Sequence, residues 1–509
     1  MDDARGPLSP TGNNAAMTQA LCLTEEHVRR FADASGDRNP LHVDESFARR
    51  TPYGRRIAHG GLVTVAALGL VDADALRHVD ELDLQFKQPV FLDEAYAVSR
   101  THSDDEKTRI EVSTAEQLTA AVTVIADRSR PALPRPPRQE FRGTPRAPRR
   151  YSIEQLLKGV SIAEAYACHV DALAALATDV GARDIPDTVL TWLGAASYAV
   201  GMLVPGRDGV FISARIRRSS ADASGTLSAS VTTADDRTGL VVVEAALAQG
   251  RVSARMTLHA FARPATPIPD RSSIAQYLPP STDLAKKQIL VVGASRGLGA
   301  AVCGALATQG ATVWAAFASS AEHAEGLRRE FGADRIRLLQ FDAADIAQSR
   351  RSFATLRAEA GALDGAILCA APPLYETALH PDASERTLRF VESSIALTLV
   401  PLSEAVQLLA PQGQLVVMSS SALNDIPEPW PQYVVAKAAL EGVAAYCARH
   451  TPARVLVVRP PKMWTDSTNT LLGRIGAARP EQVAAGIVKW MTAEQPASGE
   501  WLLTPEELL

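Results

Sequence analysis

The sequence predicts two successive α+β units, each a sheet curled around a buried helix, followed by a doubly wound parallel α/β sheet. Three observations point there. A polar, turn-rich segment leads into an apolar helix near Gly61 and is followed by alternating runs; the same order returns between Tyr151 and Ala262; and from Gln288 onward strands and helices alternate one for one.

At 509 residues the chain exceeds one ordinary core, so roughly two to four domains are expected. The hydrophobic fraction of 46% supports packed globular units, and a formal net charge of -5 argues against bulk attraction to nucleic acid or an anionic membrane. Cys22, Cys168, Cys303, Cys369 and Cys447 are too scattered for a disulfide framework or a metal knuckle, so no metal is expected and a reducing compartment is the simpler reading. The first residues, MDDARGPLSPTGNN, are acidic where a secretory signal is basic, and no apolar run is long enough to span a bilayer. The expectation is a cytoplasmic protein.

Residues up to about 20 read as a disordered tail, and the first domain is placed at 18–130. Thr24 caps a helix in 21–30, residues 61–71 read as a buried helix, and 79–90, 95–98 and 108–125 read as strands. Residues 131–150 are dense in Pro and Arg without an apolar period and predict a stiff, exposed linker. The second unit, 151–262, has a helical start at 152–159 and a helix at 192–204 whose Gly194, Ala195, Ala196 and Gly201 would let a sheet wrap closely. Strands follow at 211–217, 226–232, 240–247 and 251–261, but no Asp and His pair precedes this helix. The second unit is therefore expected to shape a binding tunnel without performing chemistry. A Pro/Ser-rich connector, 263–285, leads to the third unit, 286–509. Its strands are predicted at 288–292, 312–317, 337–341, 365–369, 414–418 and 454–458, with helices through 309, from 321, up to 359, and over 386–409 and 433–449.

Asp37 and His42 are five positions apart in a polar turn, a spacing that no helix face would bring together, so a loop must converge them. An imidazole moves a proton near neutral pH, and an aspartate orients water or removes a proton itself. Gly60 and Gly61 leave the start of the following helix open, so its N–H groups would hold an oxyanion or enolate. The blander reading of each residue alone is a turn cap at Asp37, an ordinary Asn39-Pro40 turn and a hydrogen-bonded loop histidine. Taken together, Ser35-Gly36-Asp37-Arg38-Asn39-Pro40-Leu41-His42-Val43-Asp44 and His59-Gly60-Gly61 closely resemble the hydratase-2 motif of MaoC-like enoyl-thioester hydratases and dehydratases. The broader likeness runs over about 21–127. The resemblance implies a hotdog fold, (R)-3-hydroxyacyl and trans-2-enoyl thioester substrates, catalytic Asp37 and His42, a site-ordering Asn39 and Gly60 as the backbone donor of an oxyanion hole. Gly61 departs from it, since many relatives carry Met or another side chain there, which predicts a wider entrance. That family often pairs two hotdogs, so 151–262 is expected to be a degenerate partner, giving a double hotdog with one acyl site.

The second candidate site begins with Gly293-Ala294-Ser295-Arg296-Gly297-Leu298-Gly299, which follows a predicted strand and opens a predicted helix. Glycines there let the backbone approach a pyrophosphate at the helix N-terminus. At the end of the next strand, Ala318-Ser319-Ser320 offers no carboxylate to a ribose diol, while Arg296, Ser319 and Ser320 would meet a 2′-phosphate, favouring NADPH over NADH. Otherwise Arg296 is an exposed, solubilising side chain. Tyr433 and Lys437 share a helix face one turn apart. A lysine's charge favours the phenolate of a neighbouring tyrosine, and Ser420 at a strand end would hydrogen-bond a carbonyl. Alone, Tyr433 would be a core aromatic and Lys437 a snorkelling surface residue.

Residues 286–509 resemble the short-chain dehydrogenase/reductase family, particularly 3-oxoacyl thioester reductases. The resemblance implies a Rossmann-type sheet, a cofactor loop of Gly293, Ser295, Arg296, Gly297, Leu298 and Gly299, and Asp342 near the adenine unless it is a turn cap. It also implies a catalytic group of Ser420, Tyr433 and Lys437, the lysine also touching cofactor, with Ser419 and Ser421 leaving the serine open by one place. Cys369-Ala370-Ala371-Pro372 replaces the usual Asn-Asn-Ala-Gly, Glu392-Ser393-Ser394-Ile395 lacks the usual asparagine, and Pro460-Pro461 replaces Pro-Gly. These departures bear on cofactor geometry and the proton relay.

The combined expectation is an α+β double hotdog followed by an α/β Rossmann-type domain. It would be a bifunctional enzyme that reduces a 3-oxoacyl thioester with NADPH and dehydrates the resulting (R)-3-hydroxyacyl group, carried on acyl carrier protein or CoA, in fatty-acid or polyketide-type biosynthesis. The partners expected are this thioester and further copies of the chain, with neither nucleic acid nor membrane. A hydratase with an inactive nucleotide-binding unit, or a non-catalytic acyl-carrier-binding scaffold, are the alternatives.

Overall fold

The computed structural model describes residues 17–115, 117–136, 146–494 and 499–509. Most of the tail predicted before residue 20, and 137–145 of the predicted linker, lie outside the described residues. Among the described residues no helix is long and apolar enough to cross a membrane.

The strands of the two N-terminal units are β1 (Thr18–Cys22), β2 (Val79–Phe86), β3 (Ala95–Ser103), β4 (Lys107–Ser113), β5 (Leu118–Ala126), β6 (Ser161–Ala165), β7 (Gly209–Arg218), β8 (Thr226–Ala234), β9 (Leu240–Ala248) and β10 (Ala254–Ala262). They form one continuous ten-stranded sheet in the order β1-β3-β4-β5-β2-β7-β10-β9-β8-β6. The two units are thus joined edge to edge by the antiparallel β2–β7 pair, with Leu82 opposite Ile216 and Leu84 opposite Ala214. These four side chains point inward and are buried, whereas Asp83 and Gln85 alternate to the other face, the period-two pattern of a half-buried strand. On the inner face lie the helices Gly60–Ala67 and Asp187–Tyr198, both apolar nearly all round and both buried. Trp192 is fully buried at the centre of the second, its indole N–H donating to the Val252 carbonyl at 2.7 Å.

Several boundaries differ from the sequence reading. Residues 18–22 are not tail but edge strand β1, paired with β3. The predicted strand 108–125 is two strands, because the Thr114 amide donates to the Gln117 carbonyl at 3.1 Å and turns the chain. The second buried helix starts at Asp187 and ends in a π-helical turn, Ala199–Leu203. Residues 263–285 are less free than a linker: Asp270 caps a short helix, Arg271–Ala275, and Ile274, Leu278 and Leu284 are buried in the core of the third unit.

That unit contains β11 (Gln288–Val292), β12 (Thr312–Phe317), β13 (Ile336–Gln340), β14 (Leu363–Leu368), β15 (Leu409–Met418), β16 (Arg454–Val458) and β17 (Gly499–Leu503), all parallel in the order β13-β12-β11-β14-β15-β16-β17. Strand order reverses between β11 and β14, so their C-terminal ends open the crevice where such sheets hold ligands. Strand β17 and the helix Pro480–Thr492 were not read from the sequence.

The third unit packs on both N-terminal units through short-range contacts. Gly54 has φ +67°, and a Cβ there would lie 2.2 Å from Pro373. Gln88 Nε2 donates to Glu376 Oε2 at 2.8 Å, and Arg474 donates to the carbonyls of Asp236 and Arg237 at 2.7 and 2.8 Å.

Gly61 does not widen an entrance. A Cβ at Gly61 would sit 2.7 Å from Phe31 Cζ and 3.4 Å from the Leu193 carbonyl, so its bareness lets the two central helices and the Phe31 ring close together. Gly61→Ala is expected to overpack this contact and destabilise the N-terminal half by about 1–3 kcal/mol, read as a lower urea midpoint for its transition.

Candidate functional site

The loop that carries the first site is set by three local features. Gly36, at φ +78°, ends the helix Glu25–Ser35 in a left-handed turn. Asn39 Oδ1 then accepts from the Leu41 amide at 3.0 Å and starts the short helix Pro40–Val43, with Pro40 at its first turn. That helix brings His42 back towards Asp37.

Asp37 is 2% exposed. Its Oδ1 accepts from the Asn39 amide at 3.1 Å and its Oδ2 from the Ser197 hydroxyl at 2.6 Å. Ser197 lies on the central helix of the second unit, whose Gly201 has no room for a side chain: a Cβ there would be 2.2 Å from Asp37 Oδ1. Asn39 Nδ2 donates to the carbonyls of Gly201 and Gly206 at 3.1 and 3.0 Å, tying the loop to the same unit. The second unit therefore reaches the site directly.

His42 Nδ1 lies 2.8 Å from the Ile57 carbonyl, which can only accept, so Nδ1 carries the proton and Nε2 presents a lone pair. The ring stacks on His59 with centroids 3.9 Å apart, and His59 Nε2 donates to the Asp37 carbonyl at 3.0 Å. Side-chain donor atoms of Asp37, His42 and His59 fall within 4.8 Å of one another. Burial pushes Asp37 up to about 6 against the opposing Ser197 and Asn39 hydrogen bonds, and holds His42 down at about 4 against its bond to Ile57. Burial, and then His42, hold His59 well below the ordinary imidazole range. At neutral pH this is an ionised carboxylate beside neutral imidazoles, a base poised near the working pH.

His42 and Gly60 line a cavity of about 960 Å³; Asp37 is not part of its wall. Gly60 opens the central helix, His59 before it makes no side-chain cap, and a Cβ at Gly60 would strike the Phe86 ring at 2.7 Å. The helix start is thus open to a carbonyl in the cavity.

In the third unit the glycine loop lies between β11 and the helix Gly297–Thr308. A Cβ at Gly293 would lie 2.7 Å from the Ala370 amide and one at Gly299 would lie 2.1 Å from the Gly293 carbonyl. With no side-chain cap on that helix, the loop fits a pyrophosphate drawn in against bare backbone. Ser295 lies half-buried in the loop, and Leu298 is buried in the core, so it offers the loop only its backbone. Ser319 and Ser320 stand at the end of β12, and Asp342 accepts from the Ala344 amide at 2.9 Å, which makes it the turn cap.

Arg296 requires a correction. Its guanidinium donates to the Arg49 carbonyl at 2.7 Å and to Asp466 at 3.2 Å, so it bridges to the N-terminal half and does not stand free for a phosphate. Burial, and then the Arg50 charge, hold His323 below its ordinary value against the opposing carboxylates of Asp466 and Glu322.

Lys437 is buried and donates to the Met418 carbonyl at 2.9 Å, its Nζ 5.5 Å from the Tyr433 ring centroid. Ser419 donates to Glu441 at 2.6 Å, and Glu441 also pairs with Arg459, so Ser419 is committed elsewhere. Ser420 accepts from the Ala422 amide at 3.1 Å. Ser394, in the window without asparagine, donates to the Phe390 carbonyl of its own helix at 2.8 Å. Burial pushes the Cys369 thiol up to about 12, so it stays a packing group.

Sequence reasoning missed Ser197, the clearance at Gly201 and the stacking role of His59. Ser197 stands 160 positions from Asp37 and was legible only as a small residue on a packed helix.

A family model described as a MaoC-like domain matches residues 9–124, and one described as short chain dehydrogenase matches residues 287–473. A 3-hydroxybutyryl-CoA dehydratase of Methylorubrum extorquens is 51% identical over 51 residues, covering 9% of this chain; the chain spans only 32% of that relative's length. A D-threitol dehydrogenase of Mycolicibacterium smegmatis is 30% identical over 225 residues, covering 40% of this chain and 84% of the relative. Among solved structures, a short chain dehydrogenase from Burkholderia cenocepacia in complex with NADP is 23% identical, with a TM-score of 0.40 over 44% of this chain and 98% of that one.

Gly299→Ala is expected to force the loop off the Gly293 carbonyl. Calorimetric titration with a nicotinamide dinucleotide would then show affinity lowered by about tenfold or more, with far-UV circular dichroism unchanged.

Proposed function

The chain belongs to the short-chain dehydrogenase family through its C-terminal unit and carries a MaoC-like dehydratase domain ahead of it; from that premise we propose that it is bifunctional on acyl thioesters. It reduces a 3-oxoacyl group with NADPH and eliminates water from the resulting (R)-3-hydroxyacyl group, in fatty-acid or polyketide-type biosynthesis. The observation that carries this reading is the meeting of Asp37 and His42, the histidine lining one cavity with the Gly60 helix start.

In the hydration direction, water polarised between the Asp37 carboxylate and His42 Nε2 adds to Cβ of a 2-enoyl thioester while a proton reaches Cα. Elimination is the reverse, and in either direction the Gly60 amide holds the charge that develops on the thioester oxygen. In the third unit the cofactor supplies hydride to the 3-oxo carbon when bound. Ser420 orients the carbonyl, Tyr433 donates the proton to its oxygen, and buried Lys437 places positive charge beside the phenol. NADPH is supported by Ala318-Ser319-Ser320, which lacks a carboxylate for a ribose diol. A carrier protein or CoA bears the thioester. Leu388 and Tyr446, 68% and 64% exposed on neighbouring long helices, support assembly with further copies of the chain.

A second reading, dehydratase activity alone, draws on Ser394, whose hydroxyl is bound within its own helix, and on Arg296, which is tied to Asp466. Purified protein given a short enoyl thioester, and separately a 3-oxoacyl thioester with NADPH, distinguishes the two: activity only in the first assay selects the second reading, and silence in both selects a scaffold. Asp37→Asn is expected to lower hydration by about 10²-fold or more while sparing NADPH oxidation, and Tyr433→Phe to do the reverse.

The pH profile of hydration supplies a third outcome. The ionised Asp37 carboxylate is the active form, so activity is full above about 6 and falls as pH drops through that value, while His42 stays neutral down to about 4. The Ser197 hydrogen bond lowers the Asp37 value, so Ser197→Ala is expected to move the acid limb upward, by about one pH unit.

A further inference from the structure

The cavity that holds His42 and Gly60 is not closed by the N-terminal half alone. Its inner part is apolar, walled by Leu41, Ile57, Val63 and Val90. Strands β2 and β7 stay paired only as far as Gln85 and Ser213; beyond them stand Phe86 and Phe211, their rings 5.2 Å apart. There the lining changes character to Gln85, Ser213, Thr257 and His259. Across this polar outer chamber stand Glu376, Thr470, Leu471 and Leu472, all from the third unit.

Of these, Glu376 and the segment 373–376 around it are held in place by the first unit. Glu376 accepts from Gln88 at 2.8 Å, and three residues earlier Pro373 fills the space that a side chain at Gly54 would need. The same segment adjoins the other candidate centre: Tyr375, next to Glu376 in the chain, packs on Phe390 at 5.7 Å between ring centroids, and Phe390 packs on Tyr433 at 6.4 Å.

An apolar inner chamber suits an acyl chain, and a polar outer one suits a chain of amides. We propose that Glu376 and residues 470–472 of the reductase unit form part of the binding site for the pantetheine arm of the thioester on which the dehydratase unit acts, an inference that rests on the dehydratase reading above. The arm lies across the boundary between the units, its amides facing Glu376, Thr470 and the outer face of β7 and β10, with the thioester at Gly60. These residues touch the arm and position the thioester; they take no part in the proton transfer.

The test is hydration without any nicotinamide cofactor, comparing a crotonyl thioester of pantetheine with one of N-acetylcysteamine, which keeps the acyl group and loses most of the arm. Leu472→Trp and Thr470→Trp place bulk in the outer chamber only. Each is expected to raise KM for the pantetheine thioester about fivefold or more with kcat within about twofold, leaving KM for the truncated thioester unchanged. Unchanged KM for the pantetheine thioester in both variants, or an equal rise for both thioesters, would overturn the proposal. A wild-type protein inactive on both thioesters would instead sink the dehydratase reading itself.

Discussion

A carboxylate buried against neutral hydrogen-bond donors is the constraint on which the N-terminal half turns. Removing Asp37 from water carries a penalty that only close partners offset, and its partners are a hydroxyl and a backbone amide, with no salt bridge among the described residues. A guanidinium in place of Ser197 would hold the carboxylate firmly ionised and make it a poor base. Neutral donors stabilise it less, so the balance falls near 6 and the group can give and take a proton near neutrality.

That balance requires two helices from different units to meet closely, and the glycines at their contact allow it. Gly61 admits the Phe31 ring, Gly201 clears the Asp37 carboxylate, and Gly194 lies where a Cβ would be 2.8 Å from Tyr166 Oη. The continuous sheet brings the helices together, since the β2–β7 pair joins two sheets that would otherwise wrap one helix each. The second unit, which carries no Asp and His pair of its own, is thus tied to the chemistry through Ser197 and through the carbonyls that hold Asn39.

What could be read from the sequence followed how far apart the interacting residues are. β11, β12 and β16 are short apolar runs between helix signals, and the structure begins and ends them where the composition does. β1 and β6, TQALC and SIAEA, are edge strands of mixed polarity whose pairing is set by neighbours far along the chain, so no local pattern marks them. At the first site the convergence of Asp37 and His42 was legible because Gly36, Asn39 and Pro40 encode the turn locally. Ser197 and Gly201 were not, because their role exists only once the two units are joined. Arg296 failed for the same reason: its partners, the Arg49 carbonyl and Asp466, come from a distant domain and a distant loop. Gly61 was read against its relatives as an opening, but its surroundings are a packed ring and a backbone carbonyl.

Titration of the Asp37 carboxyl itself is the most direct test, following the ¹³C shift of aspartate-labelled protein and assigning the signal by its loss in Asp37→Asn. The predicted midpoint lies at about 6, where burial against neutral donors puts it. A midpoint at the ordinary aspartate value of about 3.9 would mean that the group is solvated or paired with a cation, and the proposed base would not exist.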